Sequence, residues 1–470
     1  MSQDNQANFA YLLTITLVTA LGGILFGFDT GVVSGLTESV KAQFSLSEMM
    51  QGWFTSSIII GCMIGAGISG FSSDAFGRKG VMIAAAVMFF VSAWGCGFAY
   101  GFYDLFAYRF LGGIGVGIAS MVAPLYISEI SPSHLRGRLV AVFQLAIVSG
   151  LFLSYLSNAM VRVAPEFIPS LFTGKTMGFL FVQENWRGMF LVECLPAAVY
   201  FFALFFVPES PRWWVAKGRE DKANGILTKL FGQNAAENEI RNIKDVIGQN
   251  AGSFSELFSK KLLKGLRIAV VLMFLSQVTG INAVMYYGVS VFKGAGFAEE
   301  TAFWLQVLIG VTNIVFTFVA IGLVDHWGRK PLLKIGTTAI FIALTLVSLI
   351  VWTKSPESTS VLPMMLILLL NMIFIAAFAM SWGAIPWVIV AEIFPTRIRG
   401  RASSVGTFTI WFSCFLVVQM FPIMNAKIGI GGCYAIFAAF MFMALIFVWF
   451  YLPETKGRSL EQIESELYGK

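Results

Sequence analysis

The sequence has little of what soluble enzymes use for charge and chemistry. Charged residues make up 12% of its 470 residues, roughly half their usual share in a soluble domain, and it has only two histidines and five cysteines. The histidines lie in separate loops and the cysteines show no paired spacing, so neither a metal nor a redox centre is expected. The net charge of +6 is not gathered into a basic domain, which argues against nucleic-acid binding. We therefore expect no cofactor and no nucleic-acid partner.

The chain is instead rich in long apolar runs. Hydrophobic residues make up 57% of it, and its mean hydropathy is +0.77. A helix needs roughly 20 apolar residues to cross a hydrocarbon core, and runs of that length recur along the whole chain. An all-α membrane protein with twelve transmembrane helices is predicted, near residues 11–35, 51–71, 80–98, 103–127, 138–160, 186–207, 265–292, 300–324, 332–353, 362–391, 402–423 and 429–451.

Three short motifs occur twice, once in each half of the chain. The pairs are GFSSDAFGRK (70–79) with GLVDHWGRK (322–330), EISPSHLRGR (129–138) with EIFPTRIRGR (392–401), and PESPR (208–212) with PETKGR (453–458). Such a repeat predicts two six-helix bundles in parallel topology, 1–207 and 265–470. The hydrophilic segment between them, 208–264, is expected to form short amphipathic helices in the cytoplasm.

Lysine and arginine gather in the loops on one side of the predicted spans. Because cytoplasmic loops carry an excess of these residues, that side is predicted to be the cytoplasm. An even number of spans then places both termini in the cytoplasm. We expect a multi-pass protein of a cell membrane, with the bacterial inner membrane favoured, that functions as a monomer in the lipid bilayer.

The repeated motifs keep both signs of charge at the same spacing, which favours a cytoplasmic gate of ion pairs that form and break. Glu129 is expected to face Arg136 and Arg138, and Glu392 to face Arg399 and Arg401. The alternative is that the basic residues only anchor the chain on the cytoplasmic side. The predicted gate residues are Asp74, Arg78, Glu129, Arg136, Arg138, Asp325, Arg329, Glu392, Arg399 and Arg401.

A single carboxylate, Asp29, interrupts the apolar stretch GGILFGFDTGVVSG (22–35). A charged Asp at a bilayer centre costs roughly 2.5–3.5 kcal/mol on insertion scales, so such a residue is first considered functional. Arg109 in the fourth span is its candidate partner, and Glu193 in the sixth span is a second buried carboxylate. We expect a functional role for the three. The alternative is a fixed ion pair that only stabilises the amino-terminal bundle.

Four amide side chains, Gln144, Gln277, Asn282 and Asn313, lie inside predicted spans. Amides face lipid poorly and both donate and accept hydrogen bonds, so inward-facing amides suit a ligand with several hydroxyls. Gly280 can break the seventh span and turn Gln277 and Asn282 towards one cavity. The alternative for each amide is a hydrogen bond to a neighbouring helix.

The sequence resembles the sugar porter family of the major facilitator superfamily over nearly its whole length, and within it the bacterial proton-coupled D-xylose symporters and the mammalian glucose facilitators. The resemblance rests on GRKG, YRFLGGIGVG, PESPRWW, QVTGINAVMYY, DHWGRKPL, FAMSWGAIPWVIVAEIFP and LPETKGRSLEQIE. It implies two six-helix bundles around a central cavity that opens alternately to the two sides. Transport by such a carrier needs no covalent chemistry, so an enzyme is not expected.

The resemblance also implies a set of sugar ligands. It includes the four amides and adds five further residues, Phe26, Tyr286, Gly383, Trp387 and Trp411. Asp29 matches the proton-binding aspartate of the symporters, where the glucose facilitators have asparagine. The resemblance therefore implies that Asp29, Arg109 and Glu193 serve proton coupling. The chain departs from the family pattern at Leu151, Ser276 and Ile410, where relatives have amides.

The expected function is therefore transport of a hexose or pentose such as glucose or xylose, in symport with a proton. A sugar uniporter with a structural Asp29 is one alternative. A membrane sugar sensor is another, although the short tail after Leu452 offers little room for a signalling module.

Overall fold

The computed structural model describes residues 8–132, 134–247, 254–260, 262–354, 361–456 and 462. All regular secondary structure in these ranges is helical. The α-helices are α1 Phe9–Val32, α2 Thr37–Gln43, α3 Glu48–Phe76, α4 Arg78–Gly97, α5 Phe102–Ile130, α6 Arg136–Phe167, α7 Lys175–Gly178, α8 Asn185–Val192, α9 Cys194–Leu204, α10 Pro211–Ala216, α11 Glu220–Phe231, α12 Gln233–Ile247, α13 Leu263–Gln277, α14 Ile281–Gly294, α15 Glu299–Trp327, α16 Arg329–Thr353, α17 Val361–Met380, α18 Ile385–Ile393 and α19 Thr396–Phe450.

The helices include all twelve predicted spans. Eleven helical segments of the described chain are long and apolar enough to cross a membrane. The last of them, Ile398–Phe450, contains two predicted spans, and its backbone is non-helical at Gly429, where the second of the two begins. The all-α membrane fold is thus confirmed. Several helices run beyond the predicted limits, such as Arg136–Phe167 for 138–160, because a helix can continue into the polar interface beyond its apolar stretch.

Two predicted spans are broken over several residues, whereas the sixth is interrupted only at Glu193, between α8 and α9. The seventh ends as α13 at Gln277 and resumes as α14 at Ile281, with Gly280 at φ +88°, a left-handed conformation that costs glycine little. The tenth is interrupted between Met380 and Ile385, where Pro386 lies in the first turn of α18. The first break was expected from Gly280, and the second agrees with the preference of proline for the first turn of a helix.

The first of two compact units comprises Met1–Asp29, Ile60–Leu151 and Phe190–Asn250. In it α4 packs against α5 and α9. The short helices α10, α11 and α12 surround a small apolar core that includes Val215 and Leu227. The amphipathic helices predicted in 208–264 are therefore present.

The second unit comprises Thr30–Ile59, Phe152–Met189 and Ala251–Lys470. In it α16 packs against α17 and α19, and α13 packs against α19. The units do not follow the sequence repeat, since Thr30–Ile59 joins the second one. The division into halves at 1–207 and 265–470 remains a prediction from the repeat.

Candidate functional site

A buried ion pair lies inside the first unit. Nη1 of Arg109 on α5 is 3.1 Å from Oδ1 of Asp29 on α1, and the two residues are 0% and 2% exposed. The Arg109 guanidinium also lies over the ring of Phe190, 5.7 Å from its centroid. The expected partner of Asp29 is therefore beside it, in a site that is closed to solvent.

Glu193 brings a second carboxylate to this pair. It lies between α8 and α9, is 2% exposed, and interacts electrostatically with both Asp29 and Arg109. Within the described chain, neither Oδ2 of Asp29 nor Oε1 of Glu193 has a hydrogen-bond partner. Two carboxylates and one guanidinium are electrically neutral only when the cluster holds one proton. The arrangement of Asp29, Arg109 and Glu193, called the acid cluster below, is thus chemically suited to bind a proton.

In the second unit, two predicted sugar ligands meet across the break at Gly280. Nδ2 of Asn282 donates to Oε1 of Gln277 at 2.9 Å. Nε2 of Gln277 donates in turn to Oγ of Ser276 at 3.0 Å. Ser276 replaces a family amide, and its hydroxyl now helps to orient Gln277. Both amides are only partly buried and so remain accessible to a ligand.

The other predicted sugar ligands of the second unit differ in exposure. Tyr286, Asn313 and Trp411 are 3%, 8% and 8% exposed. Trp387, in the first turn of α18, is 42% exposed, while Gly383 lies in the turn that precedes this helix. Of this set, Trp387 therefore offers the largest free surface.

In the first unit, Phe26 and Gln144 lie beside the contact between α1 and α6. Gly27 of α1 lies so close to the backbone of Ile147 that a Cβ at Gly27 would be 1.9 Å from the Ile147 carbonyl oxygen. Gln144 precedes Ile147 by three residues and therefore lies on the same face of α6. Gln144 is exposed and Phe26 is half-buried.

The charged motif of the first unit forms a network with partners other than those expected. Arg78 donates to both carboxylate oxygens of Glu129, at 2.9 and 3.0 Å, and to Asp74 at 3.0 Å. The expected pairing of Glu129 with Arg136 or Arg138 was wrong. Arg136 follows the turn after α5 and its Nε reaches the backbone oxygen of Ser128 at 3.1 Å, while Arg138 is exposed.

The second unit repeats the central pair of this network. Nη2 of Arg329 is 2.9 Å from Oε1 of Glu392, which corresponds to the pair of Arg78 with Glu129. Glu392 thus pairs with the arginine of the GRK motif, whereas Arg399 and Arg401 were expected to face it. The side chain of Asp325 lies outside the described part of the structure.

Two further residues complete these networks, and the sequence did not indicate their role. Glu209 accepts hydrogen bonds from the backbone N–H groups of Arg78 and Lys79, at 2.9 and 3.1 Å, at the start of α4. Glu454 accepts the corresponding bonds from Arg329 and Lys330 at 3.2 and 3.0 Å, at the start of α16. Their place in the repeated PES and PET motifs was the available signal.

The glycines of the two GRK motifs make room for these glutamates. Gly77 and Gly328 have φ values of +87° and +90°. A Cβ would lie 2.2 Å from Oε2 of Glu209 at the first position and 3.0 Å from Oε2 of Glu454 at the second. Each glutamate can therefore cap the N-terminus of the next helix only because glycine precedes the arginine.

The pKa values of the two capping glutamates are shifted in opposite directions. Burial raises the pKa of Glu209 in spite of its bonds from Ser210, Lys79 and Arg78. Burial also acts to raise the pKa of Glu454, but bonds from the N–H groups of Lys456, Lys330, Arg329 and Thr455 outweigh it, so that this pKa is lowered. Ionised Glu454 therefore stabilises the fold above pH 4.5 and loses this effect as pH falls through its lowered pKa. The contribution of Glu209 is present below pH 4.5 and is lost as pH rises through its raised pKa.

We expect Glu454→Gln to lower the thermal unfolding midpoint at pH 7 more than Glu209→Gln does. The carboxylate at a helix N-terminus contributes about 1 kcal/mol, and only Glu454 gains stability by being ionised. Unfolding of both purified variants at pH 7 and below pH 4 measures this, with the parent as reference. The difference between the variants should vanish in acid. Equal midpoints at pH 7 would contradict the assignment.

Comparison with known proteins gives matches over nearly the whole chain. The family model described as sugar (and other) transporter matches residues 15–467. The chain is 35% identical to the D-xylose-proton symporter of Escherichia coli (strain K12), over 98% of this chain and 97% of that protein. It is 38% identical to the glucose transport protein of Synechocystis sp., over 98% of each chain.

A solved structure matches equally broadly. The inward open conformation of the xylose transporter XylE from E. coli superposes with a TM-score of 0.82 and 34% identity, covering 97% of this chain and 100% of that one. Sequence and structure are thus similar to the same protein across both compact units.

Proposed function

Because the chain belongs to the sugar (and other) transporter family, we propose that it carries a monosaccharide across the membrane by alternating access, in symport with a proton. The observation that carries the proton coupling is the acid cluster, in which two buried carboxylates face one guanidinium. The similarity to a D-xylose-proton symporter supports the same coupling. The chain is a multi-pass membrane protein, and the transport step requires no covalent chemistry.

The proton is proposed to act by changing the pairing of Asp29. When Asp29 is ionised, it holds Arg109 at 3.1 Å. Protonation removes this attraction and leaves Glu193 as the remaining partner of the guanidinium. A proton shifts the equilibrium between two conformations only if it binds one of them more tightly than the other. In this proposal the affinity of Asp29 for the proton differs between the conformation in which it is paired with Arg109 and the one in which it is not.

The sugar is proposed to bind the Gln277 and Asn282 amides. Each amide both donates and accepts hydrogen bonds, and their bond to each other sets the two groups at a fixed spacing. Aromatic rings can pack against the apolar C–H face of a sugar, and Trp387 has the most exposed ring among the proposed ligands. The remaining proposed sugar ligands are Phe26, Gln144, Tyr286, Asn313, Gly383 and Trp411.

The identity of the sugar depends on the positions where this chain lacks an amide. The Ser276 hydroxyl donates to the backbone oxygen of Met273 and accepts a hydrogen bond from Gln277. A hydroxyl that is held by two internal bonds therefore takes the place of an amide. Leu151 and Ile410 offer no polar group. We propose a hexose or pentose that needs fewer hydrogen bonds at these positions.

The charged networks are proposed to lie at the cytoplasmic ends of the helices, because the basic loops gather there. Both termini then lie in the cytoplasm, and the opposite helix ends are called outer below. The pairs of Arg78 with Glu129 and Arg329 with Glu392 would stabilise one conformation and break in the other. The proposed setting is the bacterial inner membrane, with a monomer as the working unit.

Uptake into proteoliposomes tests this function. Labelled D-xylose, D-glucose and D-galactose are supplied with and without an inward proton gradient, with a protonophore as control. We expect at least one sugar to accumulate above its external concentration only while the gradient is present. Uptake that reaches equilibrium and ignores the gradient would identify a facilitator. Sugar binding without flux would favour a sensor.

A further inference from the structure

The second unit contains a cavity of about 500 Å³ that is separate from the amide pair. It is lined by α2 and α3, by α14 and by the stretch of α19 around Phe421 and Asn425. Asn425 follows Arg401 by about 25 residues, which is roughly 35 Å of helix, so this cavity lies at the outer ends of the helices. It is called the outer vestibule below, and its volume is in the range of small-molecule pockets.

Three polar side chains of the outer vestibule lack partners. Gln51, at the start of α3, is only 6% exposed, yet its amide makes no hydrogen bond to any described residue. The Asn425 amide, which is only partly buried, also makes no hydrogen bond to any described residue, and Oγ of Ser290 is buried without a partner. Buried polar atoms are nearly always hydrogen-bonded, and the Ser290 hydroxyl departs from this rule. The Gln51 and Asn425 amides line the same cavity with unused donors and acceptors, so the three groups together can serve a polar ligand.

A neighbouring amide shows what a purely structural role looks like. Gln419 is also 6% exposed, but it accepts a bond from Ser56 at 2.8 Å and donates to the backbone oxygen of Met49 at 3.2 Å. These hydrogen bonds join α19 to α3, which is a common structural role of polar side chains between membrane helices. Gln51 lies next to this contact and takes no part in it. Helix packing therefore accounts for Gln419 and leaves Gln51 unexplained.

Aromatic rings form another part of the wall. The rings of Tyr287 and Phe421 are 5.0 Å apart between centroids with an interplanar angle of 30°. The Tyr287 hydroxyl is already used, since it donates to the backbone oxygen of Val418 at 2.9 Å. These rings offer apolar contact beside the three unpaired polar groups, a combination that suits a sugar with its hydroxyls and apolar C–H face.

The charges around the outer vestibule are already neutralised. Glu48 is 2.6 Å from Lys41, and Glu38 pairs with Lys293. Lys293 also lies 3.4 Å from Glu299, which pairs with Arg162 at 2.9 Å. Because each of these carboxylates has a cationic partner, the described residues around the cavity leave no unpaired charge to attract an ion. A neutral polar ligand fits it better.

We propose that the outer vestibule is a second binding site for a neutral monosaccharide, with Gln51, Ser290 and Asn425 as its hydrogen-bonding residues. This rests on the proposed function, because the sugar reaching the site is the transported one. The site draws its walls from α3, α14 and α19, so a sugar in it stabilises their contact and delays their separation. Uptake then passes through a maximum and falls at high external sugar.

The first test is thermal unfolding of protein that lacks the central amides, Gln277→Leu/Asn282→Leu, with D-xylose and D-glucose as probes. Ligand that binds only the folded state raises the midpoint. Sorbitol at equal concentration controls for general stabilisation by polyols. We expect one of the sugars to raise the midpoint beyond sorbitol, and the further change Gln51→Leu/Asn425→Leu to remove that rise.

The vestibule changes should not impair folding. Gln51 is 6% exposed and unpaired, so replacing it by leucine removes a desolvation cost that no hydrogen bond offsets. Asn425 is partly buried and its replacement removes no bond to a described residue, so the midpoint without sugar should not fall. Ser290→Ala provides a second, milder variant of the same site if the leucine pair packs poorly. A sugar-specific rise that survives in both variants would overturn the proposal, as would no rise in the central-amide protein.

The second test is initial uptake against external sugar. The parent is expected to lose at least half of its maximal rate at high sugar, whereas Gln51→Leu/Asn425→Leu should remain at its plateau. Curves of the same shape for both proteins would overturn the outer site. If the parent transports no sugar at all, the proposed function fails instead, so the two failures are distinguishable.

Discussion

Asp29→Asn is expected to abolish sugar accumulation while leaving sugar exchange across the membrane. Asn keeps the size of the side chain but cannot bind the proton or carry the charge that holds Arg109 at 3.1 Å. Transport is then no longer linked to the gradient, and the ratio of internal to external sugar should fall to one. Gradient-driven uptake and exchange into sugar-loaded proteoliposomes measure the two properties separately.

Asp104→Asn is the matched control for this change. Asp104 is an exposed acid at the start of α5, and it accepts a bond from the backbone N–H of Tyr100 at 3.2 Å. Its loss should leave accumulation unchanged. Accumulation by Asp29→Asn at the level of the parent would exclude Asp29 as the proton carrier. If Glu193→Gln alone abolished accumulation, the proton site would lie on the other carboxylate of the acid cluster.

Gln277→Leu is expected to lower kcat/KM for sugar uptake roughly 100-fold, which is about 3 kcal/mol. The change removes hydrogen bonds to the sugar and also leaves Nδ2 of Asn282 without its acceptor at 2.9 Å. Both effects act on the same amide pair. Initial rates over a range of sugar concentrations give kcat and KM for the parent and the variant.

Gln43→Leu is a suitable control, because Oε1 of Gln43 accepts the indole N–H of Trp186 at 2.6 Å and this amide is not a proposed sugar ligand. It should change kcat/KM far less. A double-mutant cycle that combines Gln277→Leu with Asn282→Leu adds a sharper test. If the two residues act together, their separate losses in kcat/KM, expressed as free energies, do not add up to the loss of the double variant. Additive losses, or a Gln277→Leu variant with unchanged kcat/KM, would contradict the proposed role of the pair.

The membrane fold could be predicted because its signals are local in sequence. An apolar run of span length is visible without any tertiary information, and Gly280 and Pro386 mark helix breaks through their own backbone preferences. Asp29 and Arg109 could be paired for a related reason, since opposite charges in an apolar environment have few other partners. The bond between Gln277 and Asn282 follows from their spacing across one broken turn.

The partners in the charged networks could not be predicted, because they depend on which helix ends meet. Glu129 has two arginines within ten residues, yet it binds Arg78, which is 51 residues away. The capping by Glu209 crosses an even longer sequence distance. The outer vestibule was missed because Gln51 looks like an ordinary polar residue at a helix end. Only its burial and lack of a partner distinguish it.

The central claim is that sugar and proton move together through Asp29, and the most direct measurement is of proton movement itself. A transported sugar is added to lightly buffered proteoliposomes without a pH gradient, while external pH and sugar uptake are recorded. The parent should raise the external pH as sugar enters, and Asp29→Asn should show no pH change. Sugar entry into the parent at constant external pH would contradict proton symport.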